Sequence, residues 1–382
     1  MDKKLTHRER VLRAINHKQP DRVPLDLGST VNSSIHLEEY VRLAENLGIQ
    51  PKKEIIHRMM QTANVQEEVL QNLDIDLRGI FLGVPDKSLA EDLGPNEYRD
   101  VWGCVRVRPP GSYYYDLIQF PLQGDISLSD IVKYPWPNPD DPGWTRHLRG
   151  RLKWIREKTD CAVVLAVPTA CVHVSQYLRG FQDWFLDFIR NPNLLEALFD
   201  AILEINSRTC ENILKEIGGE VDIVATADDL GAQNGLQISP AHYKKFVHPR
   251  LAKYFRLIHD LTPAKLHFHT CGSVAAIIED LIQIGVDILN PVQVSAAGME
   301  PGELKRKYGD RLVFWGAIDT QHVLPHGSVE DVKKEVELRV EQLGREGGYI
   351  LGAVHDIQPD VPLDNILGMF RHAQEYRPSF SN

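Results

Sequence analysis

Eight short apolar runs, rich in Val, Ile and Leu and mostly followed by amphipathic stretches, constrain this chain more than any other feature. The runs are Arg22–Gly28, Ile75–Leu82, Cys161–Pro168, Val221–Asp228, Lys265–Cys271, Val286–Val292, Leu312–Ile318 and Gly348–Val354. Helical spacing of apolar residues marks the segments between them, such as Leu194–Ile217, Pro240–Leu261, Val274–Ile284 and Val329–Leu343. Strand and helix in alternation predict a parallel sheet, because parallel neighbours need a crossover between them. Eight such units close into a (β/α)8 TIM barrel, the expected α/β fold. A doubly wound open sheet is the alternative, but no domain break favours it. At 382 residues with 43% hydrophobic content, the chain can bury one large core and is read as a single domain spanning residues 1–382.

Two segments depart from the repeat. In residues 1–20, Thr6 followed by Glu9 has capping-box spacing and predicts a helix ahead of the first strand. Residues 83–145 are rich in Pro, Gly and Tyr and lack a helical period. There, Tyr98–Arg108 and Tyr113–Phe120 read as antiparallel strands around a Pro109–Pro110–Gly111 turn. Because this segment follows the second run, it is expected at the barrel mouth as a lid-like insertion. A passive surface ornament is the plainer alternative.

Composition narrows the function classes. A formal net charge of −10 and the lack of a Lys/Arg cluster argue against nucleic acid. No run of about 18 apolar residues exists, so no membrane span is expected. The charged start, MDKKLTHRER, has no apolar stretch behind it and does not read as a signal peptide. Cys104, Cys161, Cys171, Cys210 and Cys271 are scattered, which fits free thiols in a reducing cytoplasm.

Barrel enzymes carry their chemistry at the C-terminal ends of the strands. Here those ends hold Thr226–Asp229, His267–Gly272, Asn290–Gln293, Gly316–Asp319 and Val354–Asp356. The fifth run is the most informative. Alternation places Lys265, His267, His269 and Cys271 on one face, with Leu266 and Phe268 on the other. If the apolar face meets the outer helices, the polar face points inward, which is costly unless its groups are paired or bind something. His269 and Cys271 can direct an imidazole and a thiolate at one point, both good zinc ligands. His355 is the candidate third ligand, ahead of Asp229 and then His267. The plainer reading makes His269 a hydrogen-bonded core histidine and Cys271 a small buried hydrophobe. Asp229 and His267 are the candidate catalytic groups, and His173, Asn290, Gln293 and Asp319 the candidate substrate-binding groups. His322 is a further rim residue. His7, His17, His36, His57, His147, His242, His248, His259 and His372 are read as structural or solvated.

The segments Phe268–Ser273 (FHTCGS), Gly285–Gln293 (GVDILNPVQ), Phe314–Thr320 (FWGAIDT) and His355–Ile366 (HDIQPDVPLDNI) together resemble the uroporphyrinogen decarboxylase superfamily. The opening RERVLRAINHKQPDRVP is similar to its methyltransferase-like members. The resemblance covers nearly the whole chain and is weakest in residues 83–145. It implies a (β/α)8 barrel and one of two chemistries. Porphyrinogen decarboxylases hold their substrate's carboxylates with an arginine pair; the matching place here reads Pro24–Leu25–Asp26–Leu27–Gly28–Ser29, without one. The other branch transfers methyl groups to or from a corrinoid. Its thiol-methylating members bind zinc through an H-x-C pair and a later Cys. His269 and Cys271 match the pair, and His355 replaces the Cys. Related demethylases vary in their ligands, so an ether or amine methyl donor is equally implied.

The resulting expectation is a zinc-dependent methyltransferase working with a corrinoid carrier protein and a small-molecule donor or acceptor, with a homodimer as a further assembly. The alternatives are a metal-free lyase acting on a carboxylated substrate, and a non-catalytic scaffold barrel. The polar rim speaks against the scaffold.

Overall fold

The computed structural model describes residues 5–378. Seven parallel strands pair in the spatial order Tyr349–Ala353, Val313–Ile318, Ile288–Asn290, Lys265–His269, Ile223–Ala227, Ala162–Ala166, Leu77–Ile80. Apart from the step across the closure, each strand's neighbours are its neighbours in the series, as a singly wound barrel requires.

The first expected run is not a full strand. Leu25 makes a single parallel bridge to Leu351. On one side, Leu351 N donates to Pro24 O and Asp26 N to Leu351 O, both at 2.9 Å; on the other, Asp76 N donates to Leu25 O at 3.0 Å. The segment is thus bonded on both edges and closes the sheet as an eighth stave. It is short because Pro24 lacks an N–H and Gly28, at φ +79°, turns the chain away.

The barrel interior near the strand starts is filled by Leu77, Ala162, Ile223, Ile288, Val313 and Ile350, against which Val11 and Ile15 pack. Val11 and Ile15 lie on the helix His7–Ile15, which plugs that end and carries the expected capping box between Thr6 and Glu9. A buried ionic knot fixes the plug. Arg10 Nη1 and Arg22 Nη1 donate to opposite oxygens of Asp76 at 2.6 Å, and Leu25 N donates to the same carboxylate at 2.7 Å. Asp76 is fully buried, so removing either arginine would leave charge uncompensated in the core.

The insertion forms a four-stranded antiparallel sheet, Glu91–Gly94, Glu97–Arg99, Val105–Val107 and Asp116–Gln119 in sheet order. The single strand expected over Tyr98–Arg108 is two strands. Asp100 breaks it, its Oδ1 accepting the N–H groups of Trp102 and Cys104 at 3.0 Å in an Asx-type turn, with Gly103 at φ +84°. A short helix, Leu128–Lys133, capped by Ser127 and Asp130, also stands where no helical period was expected.

Candidate active site

The strand Lys265–His269 follows the expected alternation. Leu266 and Phe268 are fully buried in the outer layer, where the Phe268 ring meets Phe255 edge-on at 5.1 Å. His267 and His269 take the opposite face. His267 sits deep, edge-on to Trp315 at 4.9 Å, and neither of its ring nitrogens has a hydrogen-bond partner among the described residues. Burial lowers its pKa to about 3. It is not among the residues that line the mouth cavity, where a catalytic role was expected. Two residues on, His269 takes the inward position nearer the mouth.

Beyond the strand end the backbone turns sharply at Gly272, φ +82°. A Cβ there would lie 2.6 Å from the Gly231 carbonyl carbon, and one on Gly231 would lie 2.5 Å from Cys271 O. The loops after neighbouring strands therefore stack backbone to backbone, and only glycines permit it. The close approach lets Asp229 Oδ1 accept the Cys271 N–H at 2.8 Å.

At this point His269, Cys271 and His355 converge, with one potential ligand atom from each lying within 4.8 Å of the others. Cys271 Sγ is 3.3 Å from His269 Nε2, and the His269 and His355 ring centroids are 5.6 Å apart. His269 Nδ1 lies 2.5 Å from Asn290 Oδ1. Burial, partly offset by Asp229, lowers the His269 pKa to about 4, and burial together with the Asp229 charge pushes the Cys271 thiol up. The neutral His269 is already in the form a cation needs, and a bound cation would reverse the penalty on the Cys271 thiolate.

Asp229 joins the cluster to His173, whose Nε2 is 3.1 Å from Asp229 N and 3.2 Å from Asp229 Oδ2. Burial alone would raise the Asp229 pKa; the His173 charge and hydrogen bond, then His269 and the Cys271 N–H, hold it well below the usual carboxylate range. Burial lowers the proton affinity of His173, but the two aspartates outweigh it and raise its pKa. Asp228 has a different task. It accepts the N–H groups of Cys171 and His173 at 2.9 and 2.8 Å, capping the helix Val172–Arg179 from a neighbouring strand end.

A cavity of about 710 Å3 opens above these groups, lined on the barrel side by His173, Asp229, His269 and His355 and on the other by the insertion. Three of the four expected substrate-binding residues lie off it, and Cys271 is not among its lining residues. Asn290 stands behind His269 as its hydrogen-bond partner. Gln293 ties two loops, accepting Gly272 N–H at 2.7 Å and donating to Gln233 at 3.2 Å. Asp319, expected to bind substrate, accepts the N–H groups of Gln321 and His322 at 2.7 and 3.2 Å at the start of a short helix. Conversely, His57, expected to be structural or solvated, lines the cavity, as do Arg106 and Tyr177. Arg106 had a signal in the sequence, since Val105–Arg106–Val107–Arg108 alternates apolar and basic residues and puts two arginines on one face.

Comparison with known proteins places this geometry. Residues 123–376 match the family model of uroporphyrinogen decarboxylase (URO-D), well over half of the chain. The chain belongs to that family. A uroporphyrinogen decarboxylase from Crocosphaera subtropica is 24% identical over 324 residues, covering 78% of this chain and 87% of the relative. Among solved structures, a methyltransferase from Methanosarcina mazei superposes with a TM-score of 0.68 at 20% identity, covering 97% of this chain and 99% of its own. That likeness confirms the barrel.

Proposed function

We propose that this member of the uroporphyrinogen decarboxylase family is a zinc-dependent methyltransferase. It moves a methyl group between a small-molecule substrate and a corrinoid held by a separate carrier protein in the cytoplasm. The observation that carries the reading is the convergence of His269, Cys271 and His355 from two non-adjacent strand ends. One sulfur and two nitrogens with an open fourth position form a donor set that suits catalytic zinc. When bound, zinc supplies Lewis acidity, lowering the pKa of an acceptor thiol or polarising the heteroatom that bears the methyl group.

The chain's own residues complete the site. Asn290 fixes the proton on His269 Nδ1 and leaves Nε2 free to act as a ligand. Asp229 remains anionic and holds His173 nearby, so the pair can take or return a proton at the substrate's reacting atom. Residues of the insertion form part of the cavity wall, and a lid-like role for the insertion would limit water around the transferring group.

The competing reading, a metal-free lyase, draws on Arg106 in the cavity wall, which could hold a carboxylate. The test is metal analysis of zinc-reconstituted protein, joined to an assay of methyl exchange with methylcobalamin against candidate thiols, ethers and amines. Stoichiometric zinc with methyl exchange supports transfer; release of carbon dioxide by zinc-free protein would replace it with the lyase.

A further inference from the structure

Two hydrogen-bond donors on the cavity wall, remote in sequence from the metal-ligand candidates, have no acceptor among the described residues. Arg106 is only 4% exposed. Its Nε donates to Asp100 Oδ2 at 3.2 Å, and its Nη1 meets the Met59 thioether sulfur at 2.9 Å, a weak acceptor. No acceptor stands against its Nη2 among the described residues. Asp100 cannot do more, because its other oxygen is committed to the backbone of Trp102 and Cys104. The guanidinium carbon rests 4.6 Å from the Tyr177 ring centroid, which fixes its place in the wall.

His57 lies in the same wall. Burial, then the charges of Arg106, His173 and His355, lowers its pKa to about 4, so the ring is neutral near pH 7. Its Nδ1 accepts the Met60 N–H at 3.4 Å, which leaves the proton on Nε2, again with no acceptor among the described residues. These two donors face the cavity with no protein acceptor among the described residues, so a ligand oxygen there can replace water on both.

We infer that Arg106 and His57 form a carboxylate cradle, so that the substrate is a small organic acid whose methyl-bearing atom reaches the His269–Cys271–His355 cluster. The inference rests on the methyl-transfer reading and names its substrate class. Charge decides for a monoanion. The other cavity arginines, Arg58 and Arg99, are already paired with Asp92 and Glu91. Arg106 is paired too, through Nε with Asp100, but its side chain is 5% exposed against 38% for Arg58 and 35% for Arg99, so its free Nη2 is the arginine group water serves least. The acids Glu91, Asp92, Asp100 and Asp229 in the same cavity disfavour a dianion such as a phosphate ester. A planar guanidinium terminus suits a planar carboxylate.

The experiment is calorimetric binding to the full chain of methoxyacetate, N,N-dimethylglycine and 4-methoxybenzoate, each against its primary amide. At least one acid should bind about tenfold or more tightly than its amide, the worth of one charge-assisted hydrogen bond. Arg106→Gln should abolish that advantage without weakening the amide, and Arg106→Lys should keep part of it. His57→Gln should lower it severalfold. Should Arg106→Gln fail to fold by thermal melting, Arg106→Lys and His57→Gln carry the test, and an unchanged advantage in both overturns the cradle. Wild-type protein that prefers none of the acids also overturns it. Zinc content of the same samples separates the two readings. Acid preference without zinc keeps the cradle and sinks methyl transfer; zinc without acid preference does the reverse.

Discussion

Asn290 Oδ1 stands 2.5 Å from His269 Nδ1, and this one contact decides which nitrogen of the ring can serve as a ligand. An amide oxygen can only accept, so Nδ1 carries the proton and Nε2 points its lone pair toward Cys271 Sγ, 3.3 Å away. Asn290 is itself fully buried, and its amide nitrogen donates to Trp315 O at 3.4 Å, which fixes the side chain's orientation. Asn290→Ala should therefore weaken zinc binding by about 10–100-fold, whereas Asn290→Asp, which keeps the acceptor, should lose far less. Competition against a chromogenic chelator reads both. Equal affinities across the three proteins would remove the positioning role.

Asp229 supplies charge and also an acceptor for the Cys271 N–H. Asp229→Asn keeps an acceptor oxygen but loses the charge that raises the His173 pKa. Its folding and zinc content should match wild type while kcat/KM for methyl exchange falls about 100-fold or more, the usual worth of a positioned acid–base group. A loss of zinc instead of turnover would reassign Asp229 to the metal.

The regular part of this molecule was legible and the irregular part was not. Period-2 alternation from Lys265 to Cys271 separated inward His269 from outward Phe268 because one face had to meet the outer helices. The same alternation could not rank His267 against His269; depth along the strand decides that, and Trp315 closes over the deeper ring. Asp319 and Gln293 sit at strand ends as the rim argument required, but backbone amides nearby claim their oxygens. His57 and Arg106 escaped because they come from a two-stranded hairpin and from the insertion, whose sheet has no fixed relation to barrel periodicity. The first stave shrank to one bridge for a local reason visible only at Pro24 and Gly28.

All five cysteines are free, and four are buried, with only Cys271 partly exposed. Denatured, unreduced protein should show five thiols, and native protein no more than one. Burial and Asp229 push the Cys271 thiol up, so its reaction with a disulfide reagent in metal-free protein should be slow and should accelerate with pH. Fewer than four thiols in the denatured sample would contradict the structure.

Asp26 gives a stability test independent of the metal. It is buried, neither carboxylate oxygen has a hydrogen bond of normal geometry, and burial, partly offset by nearby Ser33, Ser29 and Trp315, raises its pKa from 3.8 to about 6. The folded state thus holds this proton more tightly than the unfolded chain. The associated stability is fully present below about pH 4 and is lost as pH rises through about 6, amounting to about 3 kcal/mol. Asp26→Asn should remove this component, so the variant gains on wild type between pH 4.5 and 7.5. Urea unfolding of metal-free protein at both pH values reads the difference, and parallel pH dependences would refute it.

The metal site is the prediction on which the functional reading stands. Its riskiest step at the level of sequence was that His355 must reach across the mouth to a pair on a non-adjacent strand, and its ligand nitrogen does lie within 4.8 Å of the other two donors. Zinc-reconstituted wild type should bind one equivalent. Cys271→Ala should lose most of it, because a thiolate is the strongest donor of the three, and the two remaining imidazoles leave the ion short of the three protein ligands usual at a catalytic site. His355→Ala should lose it by the same count. His355→Cys should retain zinc, since the cavity already admits the larger imidazole and zinc accepts sulfur as readily as nitrogen. X-ray absorption on wild type should then show one sulfur at about 2.3 Å and two nitrogens at about 2.0–2.1 Å, and a second sulfur in His355→Cys. Equal, near-zero binding in wild type and Cys271→Ala would return His269 to a hydrogen-bonded core histidine and Cys271 to a small buried hydrophobe, and zinc-assisted transfer would fall with them.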